Sequence, residues 1–237
     1  MNVTPLVQHT PGPEPRIGGL VLAAGAGSRM GNRPKCLLQL NGMSLLERQL
    51  QALTLAGASP IRVVLGHYAE RILQDGAVAR WAAQPVLNPQ PDDGHVSSLR
   101  TGLRALPPDL DAVLVALADQ ALIDAPAVLA LLQAFAQRPA GTQLLQPTVQ
   151  GLPGNPVVFS GAVMAQILAG GDEMGARQWM QAHPEAVHRW ETPHSHYRLD
   201  VDNDSDRQAV EKLTGQSLRW PHDLNLPTSD KHEQHRH

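Results

Sequence analysis

An α/β fold with a mostly parallel central sheet is what this sequence predicts, on three observations. Short apolar runs of strand character alternate with longer stretches of helical spacing from residue 17 to residue 213. Residues 113–117 are apolar at every position, as a central strand covered by helices on both faces requires. Glycine-rich and acidic clusters follow strand candidates, and open α/β sheets bind ligands beyond the carboxyl ends of their strands.

Strands are expected at 19–23, 61–65, 85–87, 112–117, 144–149, 157–159 and 197–201. Helices are expected at 44–55, 67–73, 96–106, 125–136, 161–168, 175–182 and 205–213. Residues 1–16 carry four prolines and no apolar periodicity, and read as a flexible lead. The domain is expected over 17–213, followed by a tail at 214–237 whose end is polar and contains histidines.

Composition narrows the function. The 237 residues are 42% hydrophobic and 17% charged, which excludes a wholly disordered chain. A net charge of −3 supplies no field for a nucleic-acid backbone, and 3% aromatics leave little for base stacking. The single cysteine, Cys36, makes neither an internal disulfide nor a cysteine metal cluster. No apolar run approaches the roughly 18 residues of a membrane span. The expectation is a cytoplasmic protein with no nucleic-acid and no membrane partner.

After the first strand the chain reads Leu22-Ala23-Ala24-Gly25-Ala26-Gly27-Ser28-Arg29-Met30-Gly31. Glycines at such a turn let backbone N–H groups converge on an anion. The dinucleotide fingerprint does not fit, because Gly31 comes one residue too late after Gly27. The P-loop fails too: Pro34 precedes Lys35, and Cys36 stands where a Ser or Thr belongs. What remains is a glycine turn followed by two cations, Arg29 and Lys35, which suits a triphosphate.

That string, with Pro34-Lys35, resembles the signature of the MobA-like NTP transferases that handle molybdenum cofactor. The two alanines before Gly25 resemble the cytidylyltransferase branch, since the guanylyltransferase branch usually has Ala-Gly-Gly there. The resemblance implies a Rossmann-like three-layer nucleotidyltransferase fold. It implies nucleotide contacts from Leu22, Ala23, Ala24, Gly25, Gly27, Ser28, Arg29 and Lys35, with Arg29, Lys35 and Asp119 as catalytic groups.

Asp119 follows the apolar strand at 112–117, and Mg²⁺ takes one or two carboxylates plus substrate phosphates. The resemblance places a metal-binding aspartate there. Relatives often have proline two residues on, where this chain has Ala121, so a looser loop is expected. The run Asp200-Val201-Asp202-Asn203-Asp204 reads alone as a helix cap at Asp204 or Ser205 and a solvated turn. With Asp119 it reads as the second half of a cation site, and the resemblance implies Asp202 as the second ligand.

Asn88, Gly94, Ser97 and Ser98 fall in a stretch similar to the one around the base in the family. Either serine can bond a pyrimidine edge or cap a helix, and Gly94 permits close backbone approach. His67 and His95 read as loop histidines. The run Gly154-Asn155-Pro156 resembles the family's acceptor loop, with Pro153 where relatives often have Arg. Arg177 reads equally as an acceptor-phosphate contact and as a surface arginine.

The implied reaction is attack by the phosphate of molybdopterin cofactor on the α-phosphorus of CTP, with Mg²⁺ bound and pyrophosphate released. A phosphate monoester has its second pKa at about 6, so this nucleophile needs no histidine base. The implied partners are CTP or another NTP and a molybdopterin-type acceptor. Two rivals stay open: a guanylyl- or sugar-phosphate nucleotidyltransferase of the same fold, and a noncatalytic nucleotide-binding or cofactor-delivery protein.

Overall fold

The computed structural model describes residues 15–224. Most of the expected N-terminal lead, and the tail histidines, lie outside the described residues. In chain order the first half comprises β1 (Ile17–Ala23), β2 (Gln39–Leu40), β3 (Met43–Ser44), α1 (Leu45–Leu55), β4 (Ile61–Leu65), α2 (Ala69–Gln74), α3 (Ala77–Arg80), β5 (Gln84–Leu87) and α4 (Gly94–Arg104). The second half comprises β6 (Ala112–Leu117), α5 (Ala125–Ala136), β7 (Leu144–Val149), β8 (Leu152–Pro153), β9 (Val157–Ser160), α6 (Gly161–Ala169), α7 (Ala176–Ala182), β10 (Val187–Glu191), α8 (Asp204–Thr214) and β11 (Leu218–Arg219).

The main sheet runs β10-β7-β9-β6-β1-β4-β5, with β8 attached to β7. It is mostly parallel, and β9 runs against both β6 and β7. β1 lies in parallel register between β4 and β6, so its last residues open at the same edge as theirs. Leu46, Leu50 and Leu53 of α1 and Val128 and Leu131 of α5 bury against one face. Leu99 and Leu103 of α4 and Val163 and Ile167 of α6 bury against the other. Each fully buried Leu of this kind contributes about 1.5–3 kcal/mol relative to exposure. Two apolar helix layers on one apolar sheet make the expected three-layer Rossmann-like architecture. At Gly102 a Cβ would stand 2.3 Å from Leu20 Cδ1, so α4 reaches the sheet only because that residue is glycine.

Caps set the helix starts. Ser44 accepts from Glu47 N, Asp124 from Ala127 N and Ser160 from Val163 N. Asn203 caps α8 in a capping box with Asp206, so the cap is neither Asp204 nor Ser205, and helix begins at Asp204.

Several segments differ from the sequence reading, among them the short elements β2, β3, β8 and α3, which were not expected. The strand expected at 197–201 is a 3-10 turn over Ser195–Arg198, followed by a single antiparallel bridge between Asp200 and Gln120. Tyr197 explains it: its hydroxyl donates to Ala127 O at 2.8 Å and its carbonyl accepts from Asn155 N at 2.8 Å, which ties the segment across the sheet edge. An unexpected strand, β10, pairs in parallel with β7 at the sheet edge. Past Thr214, where a tail was expected, Leu218 is fully buried and β11 pairs with β2.

Candidate functional site

The loop leaving β1 takes its shape from left-handed residues: Gly27 at φ +61°, Gly31 at +74° and Asn32 at +52°. Gly27 O accepts from Met30 N at 2.9 Å and Asn32 N at 3.1 Å, closing a tight turn. A Cβ on Gly27 would sit 2.0 Å from Arg33 O, so only glycine fits. Across the loop, Tyr68 donates its hydroxyl to Ala26 O at 2.8 Å.

Lys35 is the electrostatic centre. Its Nζ donates to Asp119 Oδ2 at 2.7 Å and to Asp202 Oδ1 at 2.6 Å, joining carboxylates from two distant segments. Burial works against the ammonium, but Asp119 and Asp202 outweigh it and hold Lys35 above the ordinary lysine range. The Lys35 hydrogen bond, opposed by burial and aided by Arg29, holds Asp202 below the ordinary carboxylate range. Arg29 meets Asp202 at 3.3 Å, with 73% of its side chain exposed.

Asp200 is the third acid here. Burial first, then Asp119 and Asp202, push its carboxyl up to about 7, and its Oδ1 is buried without a hydrogen-bond partner. Gln120 faces it across the bridge with its own Oε1 likewise unpartnered, while its Nε2 donates to Asn155 O and Tyr197 O, both at 3.2 Å. An acid-rich pocket with orphaned oxygens fits a divalent cation, which would offset the excess charge. Among the described residues no group of three or more His, Cys, Asp or Glu side chains forms a cage. A cation at Asp119 and Asp202 would therefore complete its shell with phosphate and water oxygens, as Mg²⁺ prefers.

A compact cavity of about 270 Å³ opens beside this cluster. Of the expected nucleotide contacts, Leu22, Ala23, Ala24, Gly25, Lys35, Gly94 and Ser98 line it, together with Asp119. Gly27, Ser28 and Arg29 shape the adjoining turn. Asn88 and Ser97 face a neighbouring cavity instead. The two serines are also tied to Asn88: Asn88 Nδ2 donates to Ser98 Oγ at 3.1 Å and Ser97 Oγ donates to Asn88 Oδ1 at 3.2 Å. Those bonds fasten the 88–94 loop to α4. His95, read from sequence as a loop histidine, lines both the compact cavity and a larger one beyond it.

The larger cavity, about 860 Å³, holds Asn155 and Arg177 of the expected acceptor group. Gly154 and Pro156 are buried behind it, with Gly154 pressed against Tyr197 O, and they hold the loop rather than face the space. Its walls are largely apolar, from residues such as Leu99, Val115, Val157 and Met180, and its lining carries no Asp or Glu. Arg189 and Gln146, neither singled out from sequence, join at 2.8 Å in its wall. Gln146 had a signal: it is polar in the middle of a strand buried throughout.

The MobA-like NTP transferase domain family matches residues 19–187. The bifunctional protein GlmU of Mycobacterium avium (strain 104) is 38% identical over 138 residues, covering 55% of this chain and 28% of that protein. The bifunctional enzyme IspD/IspF of Clavibacter michiganensis is 34% identical over 163 residues, covering 65% of this chain and 38% of that enzyme. The chain thus spans well under half the length of these relatives. Rv0371c from Mycobacterium tuberculosis H37Rv has a similar fold, with a TM-score of 0.71 at 23% identity over 84% of this chain and 98% of that one. A structure of Rv0371c in complex with manganese is also similar, at a TM-score of 0.65 and 22% identity, over 83% of this chain and 98% of that one. No helix among the described residues is long and apolar enough to cross a membrane. The matched stretch contains the glycine turn, Lys35 and Asp119, and by that match the chain belongs to the MobA-like NTP transferase family.

Proposed function

We propose that this nucleotidyltransferase moves CMP from CTP onto the phosphate of a molybdopterin-type acceptor and releases pyrophosphate. The observation that carries the reading is the meeting of the glycine turn, Lys35 and Asp119 in one cavity that adjoins a second, larger one. An acceptor phosphate oxygen attacks the α-phosphorus, and the bond from that phosphorus to the bridging oxygen of the β-phosphate breaks. With the acceptor already largely dianionic at neutral pH, the protein's task is alignment and charge neutralisation.

The turn at 25–31 cradles the triphosphate, and the Lys35 ammonium sits at the developing pyrophosphate charge. Mg²⁺ held by Asp119 and Asp202 supplies further neutralisation of the phosphates when bound. The compact cavity bounded by Gly94 and Ser98 suits a pyrimidine, and Ala23-Ala24 favours the cytidylyl branch. The apolar walls and Arg177 of the larger cavity suit a phosphate-bearing acceptor with a partly apolar body.

Pyrophosphate release measured across CTP, GTP, UTP and ATP, with and without molybdenum cofactor, tests this reading. CTP with cofactor should be fastest. Equal or faster release with GTP, or release driven by a sugar phosphate, replaces it with the corresponding transferase. Nucleotide binding without any pyrophosphate release replaces it with a delivery protein.

A further inference from the structure

The segment after α8 returns to the turn at 25–31 from behind. β11 pairs with β2, Leu218 is buried, and the chain then runs past Arg33. The Arg33 guanidinium lies 4.2 Å above the Trp220 ring, and its Nη1 donates to Leu224 O at 3.2 Å. Its Nε donates in the opposite direction, to Met30 O at 3.0 Å. Asp223 of the same segment pairs with Arg71 of α2 at 2.7 Å. Because Arg33 O abuts Gly27, this one residue touches the turn through both its backbone and its side chain.

We propose that Arg33, clamped by Trp220 and Leu224, is a positioning residue that fixes the anion-binding turn, and that residues 218–224 are a strap belonging to the active site. The proposal rests on the reading of the turn as the triphosphate cradle. Glycine lets the chain enter this turn but also leaves it many other conformations, so the turn's geometry is held by what surrounds it. Here the surroundings are the strap on one side and the Tyr68 hydroxyl on Ala26 O on the other. The Arg33 guanidinium is taken up by Met30 O, Leu224 O and the Trp220 ring. Arg33 acts through Met30 O and Gly27, so its loss should loosen nucleotide binding before it slows chemistry.

The experiment compares full-length wild type with Arg33→Ala, Arg33→Lys and Trp220→Leu. Each is assayed with Mg²⁺·CTP for binding and for KM and kcat, and with trypsin for cleavage after Arg29. Losing charge-assisted bonds should raise the Kd and KM of Arg33→Ala about 10-fold, with kcat much less affected. Arg33→Lys keeps the cation and should recover part of that. Trp220→Leu keeps Leu218 and β11 and should raise KM roughly threefold, the size of a partly exposed cation–π contact.

In both Arg33→Ala and Trp220→Leu, cleavage after Arg29 should be several-fold faster without nucleotide. That arm tests the brace even if CTP is not the substrate. Wild type that neither binds nor turns over CTP would count against the assigned reaction alone. Unchanged Arg29 cleavage and unchanged KM in Trp220→Leu would overturn the strap, as would a loss confined to kcat. If Arg33→Ala does not fold, Trp220→Leu decides the question by itself.

Discussion

Lys35 and Asp119, 84 positions apart in sequence, meet through a 2.7 Å ion pair at the mouth of the compact cavity. Lys35 also holds Asp202, so removing it takes away the cation proposed to meet the phosphates and leaves acids facing one another. Lys35→Ala should lower kcat/KM for the nucleotide by roughly 10- to 100-fold or more. Arg29 is mostly exposed and meets only the edge of this cluster, so Arg29→Ala should cost less, under about 10-fold. Steady-state kinetics on the two variants check the ranking, and equal losses would contradict it.

Asp119→Asn keeps shape and loses charge at the end of a buried strand. Thermal unfolding should stay close to wild type, while Mg²⁺-dependent turnover drops on the order of 100-fold. Asp202→Asn should fall less, because Asp200 stands beside it. An unchanged Mg²⁺ titration of activity in Asp119→Asn would remove the cation from this position.

Cys36 lies next to Lys35 and is 5% exposed. Burial first, then Asp119 and Asp75, push its thiol up to about 12. At pH 8 the thiolate fraction is then about one in ten thousand. Iodoacetamide should leave the native protein unmodified over hours and react promptly in urea, with the adduct read by mass spectrometry. Fast native labelling would mean that the wall around Cys36 opens.

His196 stacks on His194, with ring centroids 5.2 Å apart, and its Nε2 is buried without a partner. Burial, then His194, holds His196 below the ordinary histidine range, with Asp124 opposing. The unfolded chain therefore binds this proton more readily than the folded one. Stability from His196 is full above about pH 6.5 and is lost as pH falls toward its lowered folded value. Urea midpoints should decline from pH 7 to pH 5 in wild type, and His196→Phe should flatten that decline. Parallel profiles would exclude His196 as the source.

The central strands β1 and β6 were legible because their burial on both faces leaves uninterrupted apolar runs, as at 112–117. β10 was not, because an edge strand reading Val-His-Arg-Trp-Glu alternates polar groups toward solvent. The segment at 197–201 misled for the opposite reason: Tyr197 and Val201 bury as strand residues would, yet hydrogen bonds from distant loops hold them. At the site, the glycine turn, Lys35 and Asp119 announced themselves by order along the chain. Trp220, Gln120 and Arg189 did not, since their partners lie on segments far away in sequence.

The reversal of β9 has a consequence for how such a protein diversifies. In an all-parallel sheet the residues leading into a strand lie at the edge remote from the ligand. Because β9 runs against β6, with Val157 beside Val115, its lead-in Asn155-Pro156 arrives at the same rim as Asp119. The connection between β7 and β9 thus forms a lip on the rim of a fixed, mostly parallel sheet. On the proposed reading, lengthening or rewriting it would alter what docks opposite the nucleotide while leaving β1, β4 and β6 untouched, so that new acceptors could be recruited by changes confined to one short connection.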